Sequence, residues 1–227
     1  MILKGLKSIF AKTDGEEFGA DGSAKELAEL TARRAENFFK EHRLSCSEAA
    51  LLVVNLGFGG GLTTGQALCL ASGFAGGVGG GGGVCGALSG AVMALGLFLG
   101  PAGKNGLGKK KFRKLVGNFH DSFREESGTV CCSDLIVDFR KDRKGQALFC
   151  RGLTGRCTAE VVRIILQERP ELAGKANLEF LQGHDSGVAA VLQKLLGRKM
   201  ENTEDLLKLY AGARRQIFKK IEKFYFK

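Results

Sequence analysis

The chain has 227 residues, 44% of them hydrophobic, with 34 glycines, two prolines, seven cysteines and a formal charge of +10. That length allows one domain with a real core, or a domain with an appendage. The clustered glycines exclude collagen-like and linker readings, and the scarcity of proline and of β-branched alternation favours helices over a sheet.

Residues 1–22 read as a loosely docked arm, with too short an apolar stretch for a signal peptide and no cleavage-site pattern. This places the chain in the cytoplasm, where seven cysteines point to metal or redox chemistry rather than to a disulfide framework. Ser23 with Glu26 makes a capping box for a helix to about Lys40, with a stripe of Leu27, Leu30, Ala35 and Phe38. Ser45 with Glu48 makes a second, opening a helix to about Leu56 with Cys46 at its first position. Gly57 to Gly61 ends it. A short apolar helix from Thr64 or Gly65 to Ser72 carries Cys69, read as a small buried hydrophobe.

The stretch from Gly73 to Gly100 organises the chain. Its glycines allow positive φ and close backbone approach. They lead into an apolar helix from about Val84 to Leu99 with Cys85 in its first turn, where dipole and free N–H groups favour a thiolate. No charged residue occurs between Glu48 and Lys104. The longest apolar piece is still shorter than the ~20 residues a membrane span needs, so the segment reads as the buried centre of a bundle.

A basic link (103–111) precedes a helix from about Lys110 to Glu126 whose inward face is Phe112, Leu115, Val116, Phe119 and Phe123. Thr129 is the expected N-cap of the next helix, with Cys131 and Cys132 in its first turn. Consecutive helix positions point about 100° apart, so at most one of the pair faces a common site. A loop is expected over 141–156, with Cys150 as a spare or exchangeable thiol, and Cys157 opens a helix running to Arg169. Beyond Pro170 the composition changes, and two helices are expected, Ser186 to Leu196 and Thr203 to Phe224. The last is a packing face for its own domain, a partner or a homodimer. The domains are thus a 1–22 arm, a 23–169 four-cysteine domain and a 170–227 helical extension; the fold class is all-α, a bundle of short helices with glycine-rich connections.

The charge is local. Seven basic residues between Lys104 and Arg124 face only Asp121, and nine from Gly197 to Lys227 face four acidic ones. Such stretches suit an acidic partner or anionic surface, and without interleaved aromatics they carry no specific nucleic-acid motif.

Cys46, Cys85, Cys131 or Cys132, and Cys157 each fall at or beside an expected helix start. Four thiolates with free N–H groups suit concentrated negative charge, as in a tetrathiolate iron–sulfur cluster. Their intervals of 39, 47 and 25 residues, without C-x-x-C, argue against a zinc ribbon and a thioredoxin-like pair. His42, His120 and His184 show no ligand spacing and read as surface or packing residues. The glycine run lacks the Lys-Ser/Thr of a phosphate loop.

Cys46-Ser-Glu-Ala-Ala, Cys85-Gly-Ala-Leu-Ser-Gly90, Cys132-Ser-Asp-Leu and Cys157-Thr-Ala-Glu-Val-Val resemble, in order, the redox-active family called C_GCAxxG_C_C. The resemblance covers roughly Leu27 to Gln167. It implies that Cys46, Cys85, Cys132 and Cys157 are the four family cysteines. Similar helical domains in split-Soret-type cytochromes imply a cysteine-bound iron–sulfur centre as cofactor, here expected as [2Fe–2S], for electron transfer or redox sensing. The resemblance also implies a redox partner or a transporter component. A metal-free thiol protein, with Cys85 as nucleophile and Cys46 or Cys157 resolving, is the alternative. A transporter- or membrane-associated module with structural cysteines is a third.

Overall fold

The structure, a computed structural model, describes residues 21–103 and 105–183. Every regular element among them is helical: α1 (Asp21–Glu41), α2 (Cys46–Phe58), α3 (Thr64–Ser72), α4 (Gly86–Leu99), α5 (Lys109–Ser127), α6 (Cys132–Leu135), α7 (Arg143–Glu168) and α8 (Leu178–Gln182), with 3-10 turns at Val137–Phe139 and Pro170–Lys175. The expected all-α class is what the chain adopts.

α2 is apolar on all sides because it is covered on all sides, packing against α1, α3, α4, α7 and α8. Its start is locally encoded. The Ser45 hydroxyl accepts from the Glu48 N–H, and the Glu48 carboxylate accepts from the Ser45 N–H at 2.7 Å. Its end is set by Gly59, left-handed at φ 68°. The Asn55 amide then holds the next turn, donating to the Leu62 carbonyl at 2.9 Å and accepting from the Leu62 N–H at 3.0 Å. Thr63 and Gln66 repeat the capping box at α3.

α4 lies against α2 through small residues. A Cβ on Gly90 would stand 2.4 Å from the Ser47 carbonyl oxygen, a contact only glycine permits. The charge-free stretch from Ala49 to Gly103 is therefore the middle of the bundle. Among the described residues no helix is long and apolar enough to cross a membrane. α5 turns Phe119 and Phe123 inward, with Phe112, Leu115 and Val116 half-buried around them. Its first two turns leave Lys109, Lys110, Arg113 and Lys114 exposed, while Lys111 pairs with Glu168.

The structure differs from the sequence expectation in four places. α1 begins at Asp21, so Ser23 lies inside the helix rather than capping it. Cys69 is exposed on α3, not buried. Thr129 does not cap α6: Cys131 occupies the N-cap, and the Thr129 hydroxyl accepts from the Cys131 N–H at 3.1 Å. Most important, the expected loop over 141–156 is helix. Asp142 caps α7, accepting from the Gly145 N–H at 2.9 Å, and the helix runs unbroken for 26 residues. Gly152 and Gly155 are tolerated because α7 packs along α1. A Cβ at Gly155 would meet the Glu36 carboxylate at 2.6 Å.

After Pro170 the chain keeps packing onto the same core. Leu172 and Leu181 are buried, and the Asn177 N–H donates to the Gly57 carbonyl at 2.8 Å. The expected arm over 1–20, the helices over 186–196 and 203–224, and His184 lie outside the described residues. Of the other histidines, His42 is buried against Phe38, ring centroids 4.6 Å apart, and His120 sits beside Asp121.

A cysteine-lined cavity as candidate functional site

All seven cysteines are free thiols. A cavity of about 20 Å³ is lined by Cys46, Cys85, Cys132 and Cys150, with Ala87, Leu135, Ile136, Phe149 and Leu153 completing an apolar wall. Three of the four expected site residues thus meet. The fourth, Cys157, is buried and is not part of that wall. Its thiol nonetheless lies within electrostatic reach of Cys85 and Cys46.

Three separate pieces of local structure deliver these thiols. Cys46 is the first residue of α2, placed by the Ser45 capping box. Cys85 is the N-cap of α4. Cys132 opens α6, and the backbone ties it to the glycine run. The Cys85 N–H donates to the Val130 carbonyl at 2.8 Å, the Cys132 N–H to Gly83 at 2.6 Å and the Ser133 N–H to Gly82 at 3.0 Å, around an antiparallel bridge between Val84 and Cys131. The glycine run is thus a clamp that sets Cys85 beside Cys132. Five consecutive residues, Gly76 to Gly80, have positive φ, including Val78 at 61°. Gly77 shows the need directly, since a Cβ there would lie 2.7 Å from the Cys132 Cβ. Gly86 does the same for Cys46, whose sulfur would be 2.5 Å from a Cβ at 86.

Cys157 stands mid-way along α7 instead of opening a helix, which corrects the picture of four helix starts. Cys150 lies seven residues, two turns, earlier on the same face. A loop over this stretch would give its side chain no fixed direction; the helix does. Of the adjacent pair, Cys132 lines the cavity and Cys131 does not.

Backbone N–H groups reach two of the sulfurs, from Ser47 to Cys46 and from Ala87 and Leu88 to Cys85. Each pulls its thiol pKa down, as expected at a helix start, but burial outweighs them. Burial pushes Cys46 from an ordinary 9.0 up to about 12, helped by the nearby Cys85 and Cys150. It pushes Cys150 up to about 11, with Cys132 and Cys85 adding to the rise. Burial likewise raises Cys85, raises Cys132 together with the nearby Cys85, and raises Cys157 strongly. The expected thiolate at Cys85 is therefore a neutral thiol, because losing water costs more than two N–H bonds return.

Four soft sulfur donors in an apolar wall, with Cys157 buried close by, are the chemistry that thiophilic metals and iron–sulfur groups select. By donor type the residues fit such a group. Among the described residues, however, no three or more Cys, His, Asp or Glu side chains are placed to hold a metal ion. Binding would require the sulfurs to close in from where they stand.

A helical protein that gathers thiols from distant helices at one apolar cavity is, by its architecture, a cysteine-cluster protein. The family comparison names it: residues 44–164 match the model described as "Putative redox-active protein (C_GCAxxG_C_C)", and the chain belongs to that family. Comparisons with curated proteins and with solved structures gave no match.

Proposed function

We propose that the protein is a redox protein whose four family cysteines, Cys46, Cys85, Cys132 and Cys157, ligate an iron–sulfur centre of the [2Fe–2S] type. The observation that carries the reading is the convergence of Cys46, Cys85 and Cys132 on one apolar cavity, with Cys157 buried nearby on α7. When bound, such a centre supplies one-electron transfer or redox sensing.

The chain's own residues have clear tasks in this reading. The N–H groups of Ser47, Ala87 and Leu88 stabilise negative charge on the Cys46 and Cys85 sulfurs. Leu135, Ile136, Phe149 and Leu153 exclude water. Gly77 and Gly86 leave room for Cys132 and Cys46. The exposed cations at the start of α5 offer a face to an acidic redox partner.

The absence of a preformed metal site among the described residues favours a second reading, a metal-free dithiol. Cys85 and Cys46 or Cys157 would form one disulfide as the S–S bond of a low-molecular-weight disulfide breaks, and that oxidant takes up the two electrons and two protons and leaves as two thiols. Anaerobic purification separates the two. Brown protein containing iron and sulfide, bleached by dithionite and lost in C85S, supports the first. Colourless protein whose thiol count falls by two on oxidation overturns it in favour of the second.

A further inference from the structure

The cysteine cavity has a buried side and an outer side. Cys85 and Cys132 are buried, whereas Leu135, Ile136, Phe149 and Cys150 are half-buried, so the cavity reaches the surface between α6 and the second turn of α7. Phe139 stacks on Phe149 with ring centroids 5.2 Å apart, which holds this outer wall in place beside Cys150. Cys46 is also half-buried, but its sulfur lies under Gly86, where an added Cβ would stand 2.5 Å from it. Burial accordingly pushes Cys46 higher, to about 12 against about 11 for Cys150. Cys150 is thus the cavity thiol most open to solvent. A void of about 20 Å³ has room for about one water molecule, so side-chain rotation carries one lining sulfur toward another. Cys85 lines the same void, and the N–H groups of Ala87 and Leu88 reach its sulfur and stabilise charge there.

We propose that Cys150 is the entry thiol of the cavity, the one that meets a low-molecular-weight disulfide and hands its oxidising equivalent to Cys85, an inference that rests on the metal-free reading above. The Cys150 sulfur bonds one sulfur of the oxidant as the oxidant's S–S bond breaks, and the other half leaves as a thiol with the Cys150 proton. Cys85 then bonds the Cys150 sulfur, and the second half leaves as a thiol with the Cys85 proton. Two cysteines have given up two electrons and two protons, and the oxidant has become two thiols. Attack of Cys46 or Cys157 on the Cys85 sulfur returns Cys150 to a thiol, with no further net oxidation.

The test treats full-length, anaerobically purified protein with hydroxyethyl disulfide at mildly alkaline pH. Every protein carries C69S, which removes the exposed thiol of α3. Free thiols are counted over time, adducts and bridges are mapped by peptide mass, and helix content is checked by circular dichroism. The C69S parent should lose two thiols. Adding C150S should slow that loss several-fold, and adding C85S should leave the hydroxyethyl adduct stranded on Cys150. A C150S protein that oxidises as fast as the parent overturns the inference and leaves the metal-free reading standing. So does a C85S protein with its adduct on another cavity thiol, or with none. A parent that loses no thiols overturns both. Should C85S or C150S fail to fold, the parent decides by an acid-quenched time course. Cys150 should carry the earliest adduct among the cavity thiols, and an earlier adduct on Cys46, Cys85 or Cys132 overturns the inference.

Discussion

Gly86 and Cys46 occupy the same few cubic ångströms: a methyl at 86 would press to 2.5 Å of the Cys46 sulfur and 2.8 Å of the Phe74 carbonyl oxygen. The sulfur could swing away, but the backbone oxygen could not. G86A is therefore expected to cost about 1–3 kcal/mol and to displace Cys46 from the cavity. A lowered Tm with faster maleimide labelling of Cys46 in the same preparation checks it. A variant as stable as wild type, with Cys46 labelled at the wild-type rate, refutes the close fit.

Gly90 and Gly96 make a controlled pair on α4. At 90 a Cβ meets the Ser47 backbone, 2.4 Å from its oxygen and 2.8 Å from its Cα; at 96 nothing lies within 4 Å. G90A should push α4 off α2 and lower stability by a few kcal/mol, on the order of a severe overpacking mutation. G96A should raise stability by about 0.5–1 kcal/mol, the helical advantage of alanine over glycine. Urea midpoints for both variants settle the comparison, and equal effects would contradict it.

The buried thiols predict an alkaline weakness. Cys46 stays protonated in the fold up to about pH 12, whereas an unfolded thiol loses its proton near 9. Between those values the unfolded chain binds fewer protons, so stability falls as pH rises; below the unfolded value the contribution is fully present. Each such thiol steepens the loss by about 1.4 kcal/mol per pH unit. Cys150 adds to it up to about pH 11. Stability measured from pH 8 to 10.5 on reduced, metal-free protein should decline, and C46A should flatten the slope. A slope unchanged in C46A would show that Cys46 is not buried as described.

How much of this was legible in the sequence depends on what sets each thiol's place. Cys46 and Cys85 are positioned by neighbours in the chain, the Ser45–Glu48 box and the glycine run ahead of α4, so local reading located them. Cys132 was located to within its pair. Choosing it over Cys131 takes the bridge to Val84, a contact between distant segments. Cys150 and Cys157 depend on α7 crossing two glycines, and that helix persists because α1 packs along it. Local propensity at Gly152 and Gly155 argues for a loop; tertiary packing overrules it. Cys69 is exposed for a related reason: α3 is apolar in sequence yet covered on one side only, which composition does not reveal.

Exposure gives a direct map of the thiols. Cys69 lies open on α3, while Cys85, Cys132 and Cys157 are buried and Cys46, Cys131 and Cys150 are partly covered. In native, metal-free protein, maleimide should modify Cys69 first, with Cys85 and Cys157 reacting only on the timescale of opening. Peptide mass mapping over time checks the order. Early labelling of Cys85 or Cys157 would show the cavity to be open.

Val78 is the misfit of the glycine clamp. It is β-branched, 56% exposed and held at φ 61°, amid four glycines with the same sign of φ. A left-handed conformation costs a non-glycine residue roughly 1–2 kcal/mol, and an exposed valine has little packing to set against that. V78N, whose side chain tolerates this region better, should raise Tm modestly without moving Cys132. G77A should do the opposite, because its Cβ would meet both the Gly83 nitrogen at 2.6 Å and the Cys132 Cβ at 2.7 Å. Thermal melts alongside Cys132 labelling rates test the contrast. If G77A and V78N moved both readouts together, the clamp would not be what positions Cys132, and its glycines would need another explanation.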